Sequence, residues 1–125
     1  MGGEQVLIVE DNEKNMKLFR DVLSAKGYRT LEATSGARAI ELALEHAPDV
    51  VLMDIRLPDV DGIDALGRLR SHERTSSIPV LAVTAQAMRG DRERFLAAGF
   101  DGYVPKPVDI AELVRTVEAH CRGQR

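Results

Sequence analysis

Two rhythms of apolar and polar positions alternate along this chain. Short runs at Val6–Val9, Tyr28–Ala33, Val50–Asp54, Val80–Thr84 and Gly102–Pro105 predict strands, and the stretches between them carry helical spacing. Ile40, Ala43, Leu44 and Ala47 recur at i, i+3, i+4 and i+7. Ile110, Leu113, Val114 and Val117 do the same, with Cys121 one turn further along the stripe. Asp109 followed by Glu112 reads as the capped start of that last helix, and Asn12 and Asn15 as the start of the first. Gly27 and Gly99 stand where helix C-terminal glycines belong. No repeat, low-complexity tract or linker interrupts the series, so residues 1–125 read as one domain.

Strict β–α alternation implies a parallel sheet with helices on both faces. Right-handed crossovers leave few topologies. The expected fold is α/β and flavodoxin-like: a doubly wound sheet of five strands in the order 2-1-3-4-5, with five helices and its ligand site at the strands' carboxyl ends. The residues just past each strand therefore matter most. They are Glu10-Asp11-Asn12, Asp54-Ile55-Arg56, Thr84-Ala85-Gln86 and Lys106-Pro107. Asp54 is the oddest of them, a carboxylate closing a strand of four apolar residues; a charge at that depth is costly unless it is paired or used.

The loop "VEDNEKN" after the first strand is anionic and lacks glycine, so it would repel a bare phosphate. Glu10, Asp11 and Asp54 held together would also repel one another unless a cation joined them. Hard carboxylate oxygens with room for water suit Mg²⁺, with Mn²⁺ as an alternative. A bound metal reverses the local electrostatics and lets a phosphoryl group approach. Asp54 is then the expected nucleophile, giving an aspartyl phosphate. Lys106 would neutralise the phosphoryl oxygens, and Thr84 Oγ and the Ala85 N–H would donate hydrogen bonds to them.

At this point the chain resembles the receiver domains of two-component response regulators, the CheY-like superfamily, from about Gln5 to about Cys121. The resemblance is carried by Glu10-Asp11, by Asp54 in "LMDIRLPDVDG", by Thr84 in "AVTA" and by Lys106-Pro107 in "YVPKP". It implies that Asp11 and Asp54 bind Mg²⁺ directly, that the Arg56 backbone carbonyl is a further ligand, and that Glu10 acts through water. It implies a cis bond before Pro107 and a switch pair of Thr84 and Tyr103. The stretches "VLIVEDNEKNMKLF" and "VTAQAMRGDRERFLAAG" look similar to stand-alone DivK-type regulators and to receivers attached to hybrid histidine kinases. The partners implied are a histidine kinase or histidine phosphotransferase as donor. A downstream protein is expected on the face of the fourth helix, fifth strand and fifth helix, roughly Met88 to Cys121. Catalysis is limited to the chain's own phosphorylation and slow dephosphorylation. Ending four residues past Cys121, the chain reads as a stand-alone regulator, with a receiver excised from a hybrid kinase or multidomain regulator as the alternative.

Composition adds exclusions. Lys+Arg 17 against Asp+Glu 20 gives a net charge of −3, which argues against non-specific nucleic-acid binding. No apolar run reaches the ~20 residues of a membrane span, and no signal peptide is legible, so a cytoplasmic protein is expected. A monomer or weak homodimer is the expected assembly. Cys121, the one cysteine, continues a core stripe and reads as a packed thiol. Pro58 and Gly62 read as loop shapers, and "MRGDRER" as a solvated helix face that in this family also meets partners. His46, His72 and His120 fall on polar faces or helix ends without ligand spacing. A phosphatase of the haloacid dehalogenase type would need an acid two residues after the nucleophile, where Arg56 stands. A flavin carrier is disfavoured by the acidic first loop and the few aromatics, Phe19, Phe95, Phe100, Tyr28 and Tyr103.

Overall fold

A computed structural model describes residues 3–85 and 90–121. Its elements run β1 (Gln5–Val9), α1 (Glu13–Ala25), β2 (Arg29–Ala33), α2 (Gly36–His46), β3 (Val50–Asp54), α3 (Gly62–Arg70), β4 (Val80–Thr84), α4 (Asp91–Ala98), β5 (Gly102–Pro105) and α5 (Ile110–His120). The five strands are parallel and ordered β2-β1-β3-β4-β5, so the flavodoxin-like topology read from the pattern is the one observed.

Because successive strand residues point to opposite faces, the sheet divides its apolar residues between two cores. Leu7, Val9, Val51, Met53 and Ala82 pack under α2, α3 and Phe95 of α4. Val6, Ile8, Leu52, Leu81 and Val83 pack under α1 and α5. β3 and β4 lie in the middle with both faces covered, which is why every residue in them is buried and why their sequences are continuous apolar runs. Each large aliphatic side chain buried this way contributes about 1.5–3 kcal/mol. Cys121 packs fully buried in the second core.

Local signals set the connections. Asn12, Ser35, Asp61 and Asp109 cap their helices through side-chain oxygens. After α1 the chain turns through Gly27 at φ +92°, with Tyr28 N–H donating to the Leu23 carbonyl and Gly27 N–H to that of Ser24. The same double bond pattern ends α4 at Gly99, φ +114°, a left-handed position that a side chain resists. There the T-shaped Phe95–Phe100 contact closes the turn.

Four expectations shift. β1 begins one residue early because Gln5 exchanges hydrogen bonds with Asp49, and β2 one residue late because Tyr28 belongs to the turn. The buried face of α2 is Gly36, Ala39, Leu42 and Ala43, with Ile40 and Leu44 at its margin. Small residues at 39 and 43 let that helix lie close on the sheet, while Ala47 sits past its end at φ 46°. Ile110, expected on the core stripe of α5, is 50 % exposed at the helix's first turn, beyond the sheet's cover.

Candidate functional site

The rim expected at the carboxyl ends of the strands exists. Glu10 directly follows β1, Asp54 closes β3, Thr84 closes β4 and Lys106 directly follows β5. Backbone hydrogen bonds hold these ends level: Glu10 N–H donates to Ala33 O at 3.0 Å, Ile55 N–H to Val83 O at 3.1 Å, and Lys106 N–H to Thr84 O at 2.8 Å. Glu10, Asp54 and Thr84 are 1 %, 5 % and 2 % exposed, whereas Asp11 and Ala85 face solvent. The Lys106–Pro107 peptide is cis.

Lys106 reaches back across the rim. Its Nζ lies 3.2 Å from Asp54 Oδ2 and 3.1 Å from Glu10 Oε1. Arg56 N–H donates to Asp54 Oδ1 at 2.9 Å, and Asn12 N–H to Glu10 Oε2 at 3.2 Å. The Glu10 Oε1 contact is close enough for an ion pair but off line for a hydrogen bond, so among the described residues that buried oxygen has no donor. Burial first, and then the charge of Asp54, push the Glu10 carboxyl above its ordinary pKa, against the Asn12 N–H and Lys106. Burial pulls the Lys106 ammonium down, but the charges of Asp54 and Glu10 outweigh this and leave its pKa raised.

A carboxylate oxygen from each of Glu10, Asp11 and Asp54 lies within 4.8 Å of the others. Fully ionised, three carboxylates and one ammonium carry −3 + 1 = −2. One divalent cation balances that charge, and the donor-less Glu10 oxygen, with exposed Asp11 beside it, is where such a cation or its water shell finds ligands. The donor set is all oxygen, which suits a hard ion of the Mg²⁺ class. The residues present fit the metal.

Tyr103 stands apart from this cluster, on β5 opposite Ala82. Its ring stacks on Phe95 with centroids 5.9 Å apart and planes 23° from parallel. Burial and then the charge of Asp91 raise its hydroxyl pKa. Among the expected residues, Gln86, Met88 and Arg89 lie outside the described ones. His46 and His72 are exposed, and His120 contacts the Thr116 carbonyl within its own helix, so none of the three joins the rim. Sequence reasoning passed over Asp59, whose partners Gly36 and Ala37 lie 23 and 22 residues away, and Arg70, which joins Ile78, Gly99 and Asp101. No local spacing announces either.

A five-stranded parallel sheet thus carries three acids and a lysine at its carboxyl rim. The response regulator receiver domain model matches residues 6–118, and the chain belongs to that family. It is 47 % identical to the polar-differentiation response regulator DivK of Brucella ovis over 117 residues, 94 % of this chain and 95 % of that protein. Among solved structures it is similar to the receiver domain of sensor histidine kinase PA1611 from Pseudomonas aeruginosa PAO1, which has a magnesium ion coordinated in its active-site cleft. That likeness has a TM-score of 0.87 and 38 % identity, covering 95 % of this chain and 98 % of the other. The receiver domain of Francisella response regulator 1452 superposes with a TM-score of 0.89 at 27 % identity, covering 98 % and 99 %. Within the described residues no helix is long and apolar enough to cross a membrane.

Proposed function

We propose that this chain is a single cytoplasmic receiver unit whose Asp54 accepts a phosphoryl group from a phosphohistidine on a histidine kinase or histidine phosphotransferase. The observation that carries the reading is the convergence of Glu10, Asp11, Asp54 and Lys106 on one rim with a charge that calls for a divalent cation. The Mg²⁺ coordinated in the Pseudomonas receiver supports the choice of metal. Here Asp11, Asp54 and the Arg56 carbonyl would hold Mg²⁺ (or Mn²⁺), with Glu10 reaching it through water. Bound there, it supplies positive charge against the phosphoryl oxygens.

In the transfer a carboxylate oxygen of Asp54 attacks phosphorus, an O–P bond forms, and the N–P bond of the phosphohistidine breaks with its electron pair returning to the imidazole. Arg56 N–H, at 2.9 Å from Asp54 Oδ1, orients the carboxylate by holding one oxygen and leaving the other towards Lys106. Lys106 then follows the charge from carboxylate to phosphoryl oxygen, with Thr84 Oγ and the Ala85 N–H as further donors. The chain catalyses no more than its own phosphorylation and slow loss of the phosphate. Incubating wild type and Asp54→Asn with a small acyl or amido phosphate, with and without Mg²⁺, tests this by intact mass. A gain of one phosphoryl group is expected only in wild type with Mg²⁺; an equal gain in the variant refutes it.

The output is a change of partner on the face of α4, β5 and α5. A hollow of about 510 Å³ there is lined by Arg92, Leu96, Tyr103, Glu112, Thr116 and His120 among others, with Leu96 38 % exposed. A new charge-assisted hydrogen bond from Thr84 to a phosphoryl oxygen is worth about 1.5–3 kcal/mol, a shift of roughly one to two powers of ten in a two-state equilibrium. Thr84→Ala should therefore still take phosphate on Asp54, more slowly, yet show reduced chemical-shift changes at residues 91–121 on phosphorylation. Full wild-type changes in that variant would place the coupling elsewhere.

A further inference from the structure

The segment after Asp54 closes on itself. Gly62 N–H donates to the Ile55 carbonyl at 2.8 Å, and Arg56 and Asp61 form an antiparallel bridge, so the loop has a fixed neck. There is no room to relax it at Gly62, where an added Cβ would stand 2.8 Å from Ile55 Cα and 2.9 Å from the Asp54 carbonyl oxygen. The bridge ties the loop's two ends to each other, so residues 56–61 move as one unit and a displaced tip displaces Arg56 with it.

The tip is held by another element. Asp59 Oδ1 accepts Gly36 N–H at 2.8 Å and Oδ2 accepts Ala37 N–H at 3.0 Å, both at the start of α2. That helix already has its own cap, Ser35 Oγ, which accepts Arg38 N–H at 3.2 Å. Asp59 thus takes two further orphan donors of α2 and places a negative charge at the positive end of its dipole. The Gly36 N–H first, and then that of Ala37, hold the Asp59 carboxyl below the ordinary pKa, so the latch is charged at neutral pH. Contact is close as well as polar: a Cβ on Gly36 would come within 2.3 Å of Val60 Cγ2. Glycine at 36 lets Val60 and Asp59 dock against the helix.

We propose that Asp59 is a positioning residue for the metal site: by pinning the loop tip to α2 it keeps Arg56 in place, both its amide on Asp54 Oδ1 and its carbonyl for Mg²⁺. The proposal rests on the reading of Asp11, Asp54 and Arg56 as the metal's ligands. It links α2, through the loop after β3, to the same chemistry. Groups that hold metal ligands in place typically change affinity 10- to 100-fold when removed.

Asp59→Ala and Asp59→Asn decide it, by amide hydrogen exchange of the metal-free proteins and by Mg²⁺ titration followed in amide chemical shifts. In Asp59→Ala the Gly36, Ala37 and Arg56 amides should all exchange faster, and Mg²⁺ should bind about tenfold more weakly. Asp59→Asn, which keeps one acceptor oxygen, should recover part of both effects. If only Gly36 and Ala37 exchange faster while Arg56 exchange and Mg²⁺ affinity match wild type, Asp59 is a cap of α2 and the proposal is wrong. Wild-type protein that shows no saturable Mg²⁺ binding would overturn the metal reading and this proposal with it. That failure is distinct, because it appears before any variant is compared.

Discussion

Lys106→Ala is expected to lower the stability of the metal-free protein by about 3 kcal/mol, a large share of the 5–15 kcal/mol typical of a domain. Lys106 is the one cation that the described ion pairs bring to Glu10 and Asp54, whose side chains are 1 % and 7 % exposed. Removing it leaves two buried carboxylates facing each other, and breaking a buried pair costs more than the pair contributed, because the remaining charge cannot be resolvated. The Glu10 carboxyl, already pushed above its ordinary pKa by burial and by Asp54, should rise further. The folded variant then keeps a proton that the unfolded chain has released. Its stability therefore falls as pH climbs from Glu10's unfolded pKa through its folded one, and levels off above that. Mg²⁺ should restore much of the loss by replacing the missing charge. Thermal melts of both proteins at acid and neutral pH, with and without Mg²⁺, check this. Equal melting temperatures in metal-free buffer, or equal Mg²⁺ stabilisation of both proteins, would show that Lys106 does not neutralise this cluster.

Asp11→Ala should weaken Mg²⁺ binding by about 100-fold, and Glu10→Gln by about tenfold. The ordering follows from what each carboxylate already does. Glu10 is buried and engaged by the Asn12 N–H and by Lys106, so it offers a metal only its remaining capacity. Asp11 is exposed at the mouth of the cluster, with an oxygen within 4.8 Å of the other two acids. Loss of a direct ligand costs more than loss of a group that holds a ligand's water. Calorimetric titration of the two variants gives the ratio; equal losses, or a larger one in Glu10→Gln, would reverse the assignment of inner and outer roles.

Much of this was legible in the residues because parallel sheets impose simple rules. β3 and β4 must be apolar on both faces, so an acid at the end of "VVLMD" and a hydroxyl at the end of "VLAVT" stood out as the sheet's rim. Alternation of strands and helices then placed Glu10 and Lys106 beside them. Features without a period were illegible. Nothing local says that Asp59 bonds Gly36, that Arg70 ties Ile78 to Asp101, or that Phe95 lies under Tyr103. The apolar stripe of α2 was misplaced because spacing counts large side chains, whereas packing there favours small ones that admit the helix to the sheet.

One measurement reaches the central claim most directly: reduction of the phosphorylated protein with borohydride, which converts an aspartyl phosphate to homoserine, followed by peptide sequencing. Phosphotransfer in the presence of Mg²⁺ should place homoserine at position 54 alone. Homoserine at another aspartate, or phosphate found on His46, His72 or His120 with Asp54 intact, would contradict it.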